Sequence, residues 1–164
     1  MLILSSNPHL AVIEFTVKRF VSVRQGSMML TSGSPPDVTT DLRLNATGRV
    51  TRMGNDEFVQ SGGGPPIDLA LAVISSDPAI QYAAVGFFVQ QVTAVVDGSG
   101  VWDPKVDVGN GPNEHVIFVK NKGKPDPGVP EIKYRIYMLI RQKNAGADYP
   151  LGDIGVIDPS WINR

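Results

Sequence analysis

The chain has no cysteine among its 164 residues, which excludes disulfides, thiolate metal sites and cysteine nucleophiles together. Histidine is almost as scarce, with His9 and His115 the whole imidazole inventory. Glu114-His115 is the closest pairing of a histidine with a second ligand type. Adjacent residues of a regular strand point to opposite sides of the sheet, so this pair is not expected to hold one metal ion. Leucine and alanine are also depleted, at 10 each against 20 Val and 12 Ile. Stiff β-branched side chains suit a pleated surface while Leu and Ala suit helices, so this inversion speaks against a helical bundle. Neither sign of charge is in excess: 15 basic and 16 acidic residues leave a net charge of -1, without the basic surplus of a nucleic-acid-binding surface. No apolar stretch approaches the roughly 18 residues of a membrane span. The opening Met1-Leu2-Ile3-Leu4 has no basic flank and too short an apolar run for a secretory signal. A cytoplasmic chain with no membrane partner is the expectation, with unconventional export or earlier processing left open.

What is present reads as strands. A content of 42% hydrophobic and 19% charged residues suffices for one core, so 1–164 is taken as a single domain. From Leu10 to Arg24 the residues Ala11, Ile13, Phe15, Val17, Val21 and Val23 alternate with polar ones, a long strand with one buried face. Arg19-Phe20 breaks the parity, as a β-bulge would. Alternation returns at 41–46, 67–73 and 132–141, with shorter extended stretches at 49–53, 115–120 and 154–157. The last is expected to end at Asp158-Pro159. Tyr82 to Val96 is nearly all apolar around Gly86, which predicts a strand buried on both faces or two strands joined at a kink. Pro104 restricts 101–108 to an edge strand or a bulge. Eight to ten strands separated by Gly, Pro, Asn and Asp turns predict an all-β antiparallel sandwich, Ig-like or jelly-roll in architecture.

The C-terminal half holds Tyr134-Arg135-Ile136-Tyr137, the turn Asn144-Ala145-Gly146-Ala147-Asp148, and Ile157-Asp158-Pro159 with Asn163 beyond. In these residues the chain resembles the DP-EP family of small bacterial β-sandwich proteins. Upstream, Val85-Gly86-Phe87 looks like the family's aromatic strand. The chain departs from the pattern in Trp161-Ile162-Asn163 and in having no Glu-Pro pair. The resemblance implies a sandwich and brings no activity with it.

Several constellations invite chemistry, and each has a plainer reading. Asp97, Asp103 and Asp107 supply hard oxygen ligands near turns, as Ca²⁺ requires, but their spacing does not match an EF-hand loop and Asp is common in turns. Gly62-Gly63-Gly64 is followed by Pro65-Pro66 where a phosphate-binding loop needs Lys and Ser or Thr, so it reads as a structural hinge. No Gly-x-Ser-x-Gly elbow is present, and Ser-rich 32–34 reads as loop. Asn45-Ala46-Thr47 is a glycosylation sequon, incidental without a signal segment. No residue is therefore assigned to catalysis, to a cofactor or to a metal.

Charge is unevenly spread along the chain. Residues 18–52 hold six basic and two acidic residues, 53–115 one basic and eight acidic, and 116–164 eight basic and five acidic. If these stretches occupy different faces the molecule is dipolar; if their strands interleave, the charges average out. The leading expectation is a non-enzymatic structural or interaction protein, self-associating through the edge strands 101–108 and 154–157, with another protein or further copies as partner. The alternative is a module binding carbohydrate or another small ligand, with Tyr82, Trp102, Tyr149 and Trp161 stacking on a sugar face.

Overall fold

Strands form where apolar and polar residues alternate, because alternation is what gives a pleated sheet one buried face. The computed structural model describes residues 7–20, 37–93, 101–105, 114–124, 128–143 and 154–164, with the backbone alone at 103–105. These residues contain eleven strands and no α-helix. They are β1 (Leu10–Arg19), β2 (Asp37–Asn45), β3 (Val50–Arg52), β4 (Glu57–Gln60), β5 (Ile67–Ser75), β6 (Tyr82–Gln91), β7 (Trp102–Lys105), β8 (Val116–Asn121), β9 (Ile132–Gln142), β10 (Ile154–Ile157) and β11 (Ser160–Asn163).

One sheet runs β2-β1-β5-β8-β7, and the other runs β3-β4-β11-β9 with β6 along the opposite side of β9. The two pack together around the larger of two hydrophobic clusters, as an all-β sandwich. Leu10, Val12, Ala70, Ala72 and Val116 form the smaller one, so β1 is buried on both parities over Leu10–Ile13 and not on one face alone. Ile13, Phe15, Leu69, Leu71 and Ile117 of the first sheet meet Phe58, Tyr134, Ile136, Met138 and Trp161 of the second. The expectation of an antiparallel arrangement is corrected at two places: β1 is parallel to β5 and β4 is parallel to β11. Between β1 and β5 the chain crosses to the other sheet for β3 and β4 before returning, and such a crossover is what parallel neighbours need.

Two further strand expectations are revised. Asp158-Pro159 does end β10 at Ile157, as expected, but β10 is not the last strand, because β11 follows at once. The Ile136 N–H donates to the Pro159 carbonyl at 2.9 Å and the Ser160 N–H to the Asp56 carbonyl at 2.7 Å. Thus β10 and β11 form one line along β9, interrupted only where proline lacks a donor, and β11 lies between β9 and β4. The apolar run from Tyr82 gives a single strand that is buried only at Tyr82, Ala83 and Ala84. Its register with β9 shifts between Ala84 and Gly86, and beyond that bulge it has a neighbour on one side only among the described residues. β1 ends at Arg19 after a register shift between Val17 and Arg19, in the region where the parity break predicted one. The charged stretches interleave: β5 lies beside β8, where Lys120 meets Asp68 at 3.7 Å, and β4 lies between β3 and β11. The dipolar option therefore loses its basis among these strands.

Candidate functional site

The aromatic residues proposed as a sugar platform are core residues. Trp161 is 1% exposed, Tyr82 3% and Trp102 8%. Trp102 meets the edges of Tyr134 at 5.5 Å and Trp161 at 5.6 Å, while Phe58 stacks on Trp161 at 5.7 Å. Rings held this way cannot present a face to a sugar, which corrects the carbohydrate reading at three of its four residues; Tyr149 lies outside the described residues. Asp97 and Asp107 lie outside them as well, as does the Asp103 side chain. Among the described residues no three His, Asp or Glu side chains converge on a metal position. His9 precedes β1 opposite Asp68, whereas His115 lies across from Val73 at the other end of β5. Arg49 reaches over the Gly62–Gly64 segment, donating to the carbonyls of Ser61 at 3.1 Å and Pro65 at 2.6 Å. A side chain at residue 64 would collide with that guanidinium.

A buried amide pair ties the sheets together. Asn121, at the end of β8, and Asn163, at the end of β11, exchange hydrogen bonds of 2.9 and 3.1 Å with neither residue exposed. Asn163 Oδ1 also accepts from Trp161 Nε1 at 3.0 Å, and Asn121 Oδ1 from the Gly123 N–H at 2.9 Å. The sequence offers no signal for this cluster, because asparagines at strand ends read as turn residues.

Among the described residues, two clefts lie on the flanks between the sheets. The larger, about 470 Å³, is lined by Val73, Ser75, Ile80, Tyr82, Glu114 and His115 among others. Glu114 and His115 share it because they precede β8 in a turn, where strand alternation does not separate them. The Glu114 carbonyl accepts from Ala84 of β6 and the His115 carbonyl from Val73 of β5, so this turn stitches the two sheets. The Glu114 carboxylate accepts from the Lys143 ammonium. Burial lowers the His115 pKa and favours the neutral imidazole. The smaller cleft, about 210 Å³, contains Thr40, Asn55, Asp56 and Asp158. Burial raises the Asp158 pKa, with Arg135 opposing the rise and Asp56 adding to it.

The sheet edges differ in how they are protected. At β2 the Asn55 side chain takes the place of a neighbouring strand: its Oδ1 accepts from the Thr40 N–H at 3.1 Å and its Nδ2 donates to the Val38 carbonyl at 2.5 Å. β2 also carries Asp37, Asp41 and Arg43; β3 is only three residues long and ends in Arg52; β7 has four residues, including Pro104. Each of these is a known means of blunting an edge. β6 has ten residues, none charged and none proline. Phe88 on it is 43% exposed, and Val92 just beyond is 61% exposed.

Hydrogen bonding fixes which main-chain groups of β6 face outward. The Val92 N–H donates to the Lys133 carbonyl at 2.8 Å, and the Ile136 N–H points the other way, to Pro159. With a period of two, Phe88 and Gln90 bond to β9, while Phe87 and Val89 direct their N–H and C=O groups away from the sheet. The Phe88 ring stacks on Tyr137 at 4.7 Å, and the Tyr137 hydroxyl donates to Gln90 Oε1 at 3.0 Å, holding the outer face of this edge in place. No protein-family model and no curated protein matches the chain.

Proposed function

We propose that the chain is a non-enzymatic structural or interaction protein that self-associates through the edge of β6. The observation that carries this reading is the contrast between edges: β2, β3 and β7 carry charge, brevity, proline or a capping amide, and β6 carries none of them. A long, uncharged, apolar edge is a template for an added strand. A second copy of the same chain matches it, because an uncharged apolar edge meets an identical one without like-charge repulsion or a stranded ion.

Light scattering of the native protein tests the reading. A mass above one chain is expected at low and high salt alike, because main-chain pairing and apolar burial are not screened as surface charges are. Replacing Phe88, whose side chain is 43% exposed on the outer face, with Lys places a charge on the edge and is expected to return the mass to one chain. A wild-type chain that stays monomeric at submillimolar concentration in both salts would refute the proposal.

A further inference from the structure

We infer that two copies pair antiparallel through β6 about a two-fold axis passing between Phe88 and its counterpart. This rests on the self-association reading and adds the partner strand, the direction and the register. The register follows from the outward main-chain groups. Phe87 and Val89 both direct N–H and C=O off the edge. An antiparallel pair in which these two residues bond each other joins Phe87 of one copy to Val89 of the other, and the reverse. That places Phe88 opposite Phe88 in the closer, non-hydrogen-bonded position, with Cα atoms about 4.5 Å apart. Each exposed ring, already stacked on Tyr137, then gains an aromatic cross-strand neighbour, among the favourable pairs in sheets.

The same arrangement disposes of two other features. Gly86 falls opposite Gln90 of the second copy, so the position without a side chain receives the amide already bound to the Tyr137 hydroxyl. The bulge between Ala84 and Gly86 ends the pairing before the Glu114 turn, which occupies the edge at Ala84. The contact is isologous and closes on itself, giving a dimer with one continuous sheet across the axis rather than a filament.

Single cysteines test the register cleanly, because the native chain has none. Phe88→Cys is expected to form an intermolecular disulfide readily, since about 4.5 Å lies within the 4.4–6.8 Å span that disulfides bridge. Val89→Cys is expected to cross-link poorly. A spin label on Gln90→Cys leaves Phe88 in place and should report a Cα separation of about 14 Å, from a four-residue offset at about 3.4 Å per residue and a strand spacing near 4.8 Å. Efficient cross-linking at Val89 with the Gln90 separation near 8 Å would overturn this register in favour of an axis at Val89. A wild-type dimer with neither cross-link and a Gln90 separation beyond about 25 Å, seven residues' worth of strand, would overturn the β6 pairing while leaving self-association standing. A wild-type monomer would remove both.

Discussion

At the scale of single residues, the interior depends on a few polar groups that must be paired. Asn163 Oδ1 accepts from both Asn121 and Trp161, and Asn163 Nδ2 donates back to Asn121. Asn163→Leu keeps the branched shape but leaves the buried Trp161 indole N–H and the Asn121 Nδ2 without an acceptor. A loss of about 2–3 kcal/mol in urea unfolding is expected, since each unsatisfied buried group costs about 1–3 kcal/mol. Asn121→Leu should cost a similar amount, and the double variant should cost less than the two singles combined, because the groups share one network.

Two titrating groups make opposite contributions to stability as pH falls. His115 has its pKa lowered by burial from 6.5, so folding favours the neutral ring. Its contribution is present above 6.5 and is lost as pH falls through the lower, folded-state value. Asp158 has its pKa raised by burial from 3.8, so folding favours the protonated acid. Its contribution is present below 3.8 and is lost as pH rises through the higher, folded-state value. Asp158→Asn is therefore expected to raise the neutral-pH melting temperature, and His115→Gln to flatten the decline on mild acidification. Thermal melts across a pH series check both, and an Asp158→Asn protein less stable than wild type at neutral pH would contradict the first.

At the scale of elements, proline separates the two sides of β6. The Val89 N–H faces away from β9, so Val89→Pro removes no ladder bond and its cost is confined to the packing of the partly buried Val89 side chain, smaller than that of Phe88→Pro. The Phe88 N–H faces β9, and Phe88→Pro should cost about 2 kcal/mol or more by stranding a carbonyl of β9. Circular dichroism melts of the two variants decide whether the facing is as described. β1, β5 and β9 were legible in the sequence because Ala11-Ile13-Phe15-Val17, Ile67-Leu69-Leu71-Val73 and Ile132-Tyr134-Ile136 repeat at a period of two and are buried; that Leu10, Val12, Ala70 and Ala72 on the other parity are buried as well was not. β11 was not, because Pro159 looks like a stop when only its N–H is missing and its carbonyl still pairs. The parallel neighbours were invisible because alternation records which face is buried and not which strand lies alongside. The β6 edge was misread for a related reason: an unbroken apolar run resembles a central strand. The signal against that reading is Gln90-Gln91, two polar residues on opposite parities, which a strand buried on both faces would not tolerate unpaired.

At the scale of the whole molecule, the charges of the described residues are spread, and among the edge strands of these residues β6 is the long one without charge or proline, β3, β7 and β10 being short. The acidic and basic stretches of the sequence end side by side, with Lys120 near Asp68 and Lys143 on Glu114. Association driven by opposed charge would weaken as salt rises, because surface charges are screened beyond about 8 Å at physiological ionic strength. Association driven by the β6 edge would not. The measurement that tests this account most directly is the solution mass of the wild-type chain beside that of Val89→Pro, at low and at high salt. The account predicts twice the single-chain mass of 17.7 kDa for the wild type in both, and one chain for Val89→Pro with an unchanged circular dichroism spectrum. A Val89→Pro protein that is folded and still dimeric, or a wild type that is monomeric throughout, would contradict it.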